Sequence, residues 1–318
     1  MNKQRVIGLF DSGVGGLTVM KEILEQLLDV RIVYFGDTAR LPYGNRSSEE
    51  LIRFGEEIVT FLIGQGAEMI VVACNTSSAT ALPVLRKRFD IPMIGMVEPG
   101  ARLAVEKTIA GRIGLIATET TVRSKAYSSG VSRALAKGSV PEDSVLREAW
   151  QRAEQPIVLV KAQGCPLFVP LIEAGLANSA EARGIARTYL APLQAAGVDT
   201  LIMGCTHFPF LAPVIREILG EDVLLVDPAL AVVQELELLL KQMEEREQVG
   251  PAAPEGQARA GGTTGHITLA ANPSALVLGK SHWRARYFVS GDPGLFRQVG
   301  NTLLQEPIDL VEQVTLGD

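Results

Sequence analysis

The sequence predicts an α/β protein made of two related units, each with a mostly parallel central sheet and crossover helices. Three observations lead there. Short apolar runs alternate with amphipathic stretches along most of the 318 residues, the pattern of strands joined through helices. The composition is 47% hydrophobic but only 5% aromatic and is rich in Gly, Ala, Val, Ile and Leu, which suits short strands buried on both faces. Finally, one segment recurs. Gly66–Thr76 (GAEMIVVACNT) and Gly197–His207 (GVDTLIMGCTH) align without a gap, placing Cys205 a fixed 131 residues after Cys74 (205 − 74 = 131). A weaker echo pairs IGLFDS at Ile7 with IGLIAT at Ile113. Self-similarity of this kind implies two related βα halves.

In chain order, Val6–Phe10 reads as a buried strand, followed by the turn Gly13–Gly16 and a helix to about Leu28. Arg31–Phe35 is a second strand that stops at Gly36-Asp37. Ser48–Gln65 is helical, with Ser47 or Ser48 available as the cap ahead of Glu49 and Glu50. Met69–Ala73 is a strand, then come Cys74 and another helix, and Met93–Val97 is a short strand. Ile113–Ala117 opens the second series, with helix from about Val122. Val158–Lys161, Thr200–Met203 and Val223–Val226 are further strands, with helices near Ala180–Ala196, Leu211–Leu219 and Ala229–Glu247. Trp283–Ser290, a Gly291-Asp292-Pro293 turn, a helix to about Leu304 and a strand near Leu310–Leu316 form a tail. Ser128–Gln155 is polar and poorly periodic, and Gly250–Gly265, rich in Gly, Ala and Pro, reads as a linker.

The net charge is −6 and no basic run stands out, which argues against nucleic acid as a partner. A local anion site remains compatible with an acidic protein. The apolar run before Asp11 is shorter than a secretory signal needs, and no run approaches membrane-helix length, so a cytoplasmic location without membrane attachment is expected. Cys74, Cys165 and Cys205 make no disulfide framework, and no CxxC or His-x-x-x-His spacing suggests a metal site.

Cys74 and Cys205 each follow a buried strand at its C-terminal end, the edge where open α/β sheets bind ligands. Each also stands near an expected helix start, whose positive end favours a thiolate. If the halves face each other, two thiols point into one cleft from opposite sides. One could take a proton from one face of a carbon while the other returns a proton to the opposite face. A single buried cysteine is commonly just a small core residue. Two at matched positions, followed by Asn75-Thr76 and Thr206-His207, place polar groups where a core would want none.

Six motifs, FDSGVGG, GDTARLPYG, VVACNTSSAT, CPLFVPLIEAG, LIMGCTHFPFL and the tail FVSGDPGLF, resemble those of the glutamate racemases, cofactor-independent members of the aspartate/glutamate racemase superfamily. The likeness covers most of residues 5–240. It implies two pseudo-symmetric α/β domains with the active site in the interdomain cleft: residues 1–97 plus 208–318 form the first domain and 98–207 the second. It implies that Cys74 deprotonates the D-enantiomer and Cys205 the L-enantiomer, Asp11 assisting Cys74 and His207 with Glu173 assisting Cys205. Substrate contacts would come from Asp11, Ser12, Tyr43, Gly44, Asn75, Thr76, Thr118, Thr121, Thr206 and His207. The resemblance further implies no cofactor, a homodimer, and D-glutamate supplied to bacterial peptidoglycan. The distance from Cys74 to Cys205 exceeds the family's usual spacing, and the extra length falls in Ser128–Gln155.

Each residue also has a plainer reading. Asp11 suits a helix N-cap. Gly13, Gly15 and Gly16 hint at a phosphate loop but lack Gly-Lys-Ser/Thr and the third glycine of a dinucleotide fingerprint. His207 could fill a core, Glu173 could serve a surface, and Cys165 reads as structural. No Lys or Arg stands beside either cysteine motif, so backbone N–H groups and the hydroxyls of Ser12, Thr76, Thr118, Thr121 and Thr206 would have to receive substrate carboxylates. The alternatives are aspartate as substrate, a Cys205–His207 nucleophile pair, and a silent binding protein.

Overall fold

A computed structural model describes residues 4–138, 157–249, 284–308 and 310–317. Two parallel sheets carry it. The first contains β1 (Arg5–Asp11), β2 (Val30–Gly36), β3 (Met69–Val72), β4 (Met93–Gly95), β9 (Ala285–Val289) and β10 (Val311–Gln313), in the order β10-β9-β2-β1-β3-β4. The second contains β5 (Arg112–Ala117), β6 (Val158–Gly164), β7 (Thr200–Gly204) and β8 (Leu224–Val226), in the order β6-β5-β7-β8. The cores β2-β1-β3-β4 and β6-β5-β7-β8 share one strand order. The repeat in the sequence is therefore a repeat of topology, with β3 matching β7 and β1 matching β5.

Side chains alternate across each strand, and both faces are covered. In the first sheet Ile7, Leu9, Ile32 and Val71 pack on one face while Phe10, Val33, Phe35 and Val72 pack on the other. The second sheet is likewise covered around Ile116, Leu201 and Met203 on one side and Ile113, Leu115 and Ile202 on the other. The covering helices are α1 (Leu17–Gln26), α2 (Ser48–Gly64), α3 (Asn75–Thr80), α4 (Leu82–Arg88), α5 (Val97–Lys107), α6 (Glu119–Ser124), α7 (Ala126–Ala136), α8 (Phe168–Glu173), α9 (Ala180–Ala195), α10 (Ala212–Leu219), α11 (Pro228–Val249) and α12 (Pro293–Leu304). Ser47 caps α2 in a reciprocal capping box with Glu50. Thr118, Ser179 and Asp292 accept N-cap hydrogen bonds at α6, α9 and α12.

Several expectations are corrected. The return to the first unit, expected at 207, comes after Val226, because β8 hydrogen-bonds to β7 through the pairs Thr200–Leu224 to Ile202–Val226. From there α11 carries Ala229, Val232, Val233 and Leu236 back into the core that holds Ile7 and Leu9. Val97 opens α5 rather than closing a strand. The helix expected from about Val122 starts at Glu119 and is broken by Lys125, which adopts left-handed φ 55°. The polar segment begins as helix, since α7 runs to Ala136, and residues 139–156 lie outside the described residues, as does the 250–265 linker.

Candidate active site

The C-terminal strand ends of both sheets converge on one cavity of about 390 Å³, within the usual range for small-molecule sites. From β1 come Asp11 and Ser12, from β3 Cys74, Asn75 and Thr76, from β5 Thr118, and from β7 Cys205, Thr206 and His207. The loop after β2 supplies Leu41 to Asn45, and the segment from β6 into α8 supplies Cys165, Pro166, Val169, Pro170 and Glu173. Of the expected site residues, Thr121 is set back from the cavity. It is fully buried, with its hydroxyl bonded to those of Thr118 at 2.9 Å and Thr76 at 3.4 Å. The remaining twelve line the wall together.

The two thiols sit in different surroundings. Cys205 Sγ lies 3.8 Å from His207 Nδ1, and His207 Nε2 lies 2.9 Å from Glu173 Oε1. Burial works against a charge on His207, but its bonds to Cys205 and Glu173 prevail and lift its pKa to about 10. The ring thus holds a proton 3.8 Å from the Cys205 sulfur. Cys74 has no such partner: burial, with the charge of Asp11, pushes its thiol up to about 12, against the backbone and hydroxyl of Ser77. Asp11 stands between the halves. Its Oδ2 accepts from Gly13 N at 3.1 Å and its Oδ1 from Thr206 Oγ1 at 3.5 Å. Burial raises its pKa despite the nearby His207 charge and the amides of Gly13, Gly16 and Ser12.

Close approach of the halves depends on Gly15. A Cβ there would collide with Thr206 Oγ1 and the His207 ring, and one on Gly16 would sit 2.5 Å from Asp11 Cβ. The glycine-rich turn thus admits the opposing strand end instead of cradling a phosphate. Cys74 stands at the N-cap position of α3, near a helix start as expected, whereas Cys205 leads into a 3₁₀ turn, Phe208–Leu211, instead of an α-helix.

Among the described residues, none that lines the cavity is Lys or Arg. An anionic ligand would meet side-chain amide and hydroxyl donors and the His207 cation. Leu41, Pro42, Asn45 and Glu119 also line the wall without a sequence signal that marks them, and Cys165, expected to be structural, lies in it too. The strand expected to end at Lys161 continues as β6 to Gly164 and delivers Cys165 to the cavity. The missed signal was a polar continuation: β6 is an edge strand and half-exposed, so Lys161 and Gln163 interrupt the apolar run. Burial holds the Cys165 thiol well above its ordinary pKa. Among the described residues, no three His, Cys, Asp or Glu side chains are grouped to hold a metal.

A family profile described as Asp/Glu/Hydantoin racemase matches residues 7–236. A glutamate racemase of Desulforudis audaxviator is 43% identical over 308 residues, covering 96% of each chain. Among solved structures, a glutamate racemase isoform of Bacillus anthracis superposes with a TM-score of 0.75 at 32% identity over 98% of both chains. The glutamate racemase of Francisella tularensis, solved in complex with D-glutamate, does so with a TM-score of 0.75 at 30% identity, again over 98% of both.

Proposed function

The chain belongs to the Asp/Glu/Hydantoin racemase family, and from that premise we propose that it interconverts L- and D-glutamate with two cysteine acid/base residues. The observation that carries this is the pair Cys74 and Cys205, delivered by matched strands of two repeated sheets to one cavity. In the L to D direction, the Cys205 thiolate takes the α-proton and becomes a thiol. Cys74 gives its proton to the opposite face and becomes a thiolate. The reverse reaction exchanges the roles. Atoms balance with one proton removed and one returned.

The α-proton of an amino acid is weakly acidic, so the charge that develops on the substrate must meet oriented donors in a site closed to water. Ser12, Asn75, Thr76, Thr118 and Thr206 supply such donors along the wall, with Tyr43 and Gly44 closing the cavity from the β2 side. Asp11 exchanges protons on the Cys74 side, and His207 with Glu173 on the Cys205 side. The glutamate racemases that the chain resembles support glutamate over aspartate. The same reading makes the protein a cytoplasmic homodimer that supplies D-glutamate for peptidoglycan. Among the described residues, no helix is long and apolar enough to cross a membrane.

The test is incubation with L-glutamate in D₂O without added cofactor, followed by NMR of the α-proton and by chiral chromatography. Loss of the α-proton signal together with D-glutamate supports the proposal. Exchange with aspartate alone would reassign the substrate. No exchange with either acid, in folded and reduced protein, would overturn the racemase reading.

A further inference from the structure

Asn75 uses only one end of its amide within the protein. Its side chain is buried in the cavity wall. Oδ1 accepts a hydrogen bond from the Tyr127 hydroxyl at 2.6 Å. Nδ2 is buried and has no hydrogen-bond partner among the described residues. A buried donor left unpaired is costly unless a ligand satisfies it. The two ends of an asparagine amide are chemical opposites, so the group that holds one end decides what the other offers.

Tyr127 is well suited to hold one end. It comes from α7 of the second unit, whereas Asn75 opens α3 of the first, so the contact spans the two halves. The ring is buried, and its hydroxyl passes Gly100 of α5, where an added Cβ would lie 3.4 Å away. Burial, then the charges of Asp227 and Cys205, hold the phenol well above its ordinary pKa, so it keeps the proton that it donates to Oδ1.

We propose that Tyr127 is a positioning residue that fixes the Asn75 amide with its NH₂ group toward the cavity, where that group receives a carboxylate oxygen of the amino-acid substrate. The inference rests on the racemase reading and deepens it. In a wall without Lys or Arg, a neutral donor can select an anion only if its donor end is fixed outward, and the second unit supplies that constraint to the first.

The experiment compares steady-state racemisation of glutamate by wild-type, Tyr127→Phe, Asn75→Ala and doubly substituted protein, with folding checked by circular dichroism and thermal unfolding. Tyr127→Phe removes the hydroxyl and keeps the ring. It is expected to raise KM on the order of tenfold with a smaller change in kcat. In the Asn75→Ala background the same change should alter KM by less than about twofold, because the group it steers is gone. An unchanged KM in Tyr127→Phe, or an equal rise in both backgrounds, overturns the proposal. If Tyr127→Phe does not fold, Asn75→Asp decides. It keeps an acceptor for Tyr127 but turns a carboxylate oxygen to the substrate, so KM should exceed that of Asn75→Ala, and a lower KM overturns the assignment. Wild-type protein that turns over neither enantiomer removes the racemase reading and this inference together, whereas wild-type turnover with no KM response removes this inference alone.

Discussion

Cys74 and Cys205 occupy equivalent strand ends but unequal electrostatic settings, and the inequality can be measured. His207 is held protonated with Nδ1 3.8 Å from Cys205 Sγ, while burial, with Asp11, pushes the Cys74 thiol up to about 12. A thiol alkylates far more slowly than a thiolate, and Cys74 is held as a thiol, so limited iodoacetamide at pH 7.5 should modify Cys205 before Cys74, by on the order of tenfold. Peptide mass mapping checks this, and equal labelling would count against the imidazolium assignment. The same proton links stability to pH. The His207 pKa is raised in the fold from 6.5 to about 10. Its contribution is therefore complete below about pH 6.5, where folded and unfolded chains both bind the proton, and is lost as pH rises through about 10. Replacing His207 with Asn should flatten the fall in stability between those limits, by at most about 1.4 kcal/mol per pH unit, as read from urea unfolding at several pH values. An unaltered slope would place the titration elsewhere. The cysteine pair was legible in the sequence because a gapless repeat marks both positions at once. Tyr127 was not, because its role depends on what it faces: it reaches Asn75 across the two units.

At the scale of elements, the C-terminal arm does more than widen the first sheet. β9 pairs with β2, and the turn after it is tied to the loop that walls the cavity. Ser290 Oγ donates to Asp37 Oδ1 at 2.7 Å and accepts from Ala39 N at 2.9 Å. Gly291 N donates to Thr38 Oγ1 at 3.0 Å. Asp37, fully buried, in turn accepts from Arg40 and from the Tyr43 hydroxyl. Tyr43 faces the cavity, so the arm reaches the site through two side chains. Ser290→Ala should leave the fold intact at a cost of about 1 kcal/mol and raise KM for glutamate roughly threefold through a looser Tyr43. Kinetics alongside urea unfolding test this, and lost stability with an unchanged KM would confine Ser290 to the scaffold. The tail's order of strand, turn, helix and strand is legible in the sequence, since Asp292-Pro293 is a strong helix start. Its tie to Asp37 was not legible, because 253 residues separate the partners. α5 was missed where Pro99 and Gly100 dilute the helical pattern. Pro99 is tolerated in the first turn, and Gly100 is needed where Pro228 packs, with an added Cβ only 2.9 Å from it.

The whole molecule is a duplicated sheet closed on itself by two kinds of contact. Far from the cavity, α11 returns from the second unit into the core of the first through Ala229, Val232, Val233 and Leu236. Around the cavity, among the described residues, the hydrogen bonds that cross the seam are made by hydroxyls. Thr76 meets Thr118 at 2.9 Å, Thr18 donates to Thr206 O at 3.2 Å, Thr206 donates to Asp11, and Thr120 donates to Gly44 O at 2.6 Å. Burying apolar surface resists separation more than exchanging such bonds with water, each worth about 1 kcal/mol net. The two halves should therefore part at the hydroxyl seam and stay joined at α11, opening the cavity without unfolding either sheet. Thr120→Val removes one seam bond while keeping shape. In unliganded protein it should speed hydrogen exchange at residues 43–46 about fivefold and leave the strands β1 and β5 unaffected. Added D-glutamate, by binding both halves, should restore protection at 43–46 and at 118–121 together. Hydrogen-exchange mass spectrometry resolves these segments. Protection regained in one unit alone would mean that ligand contacts lie on one side of the cleft, and faster exchange spreading to β1 and β5 would mean that Thr120 supports the sheets rather than the seam between them.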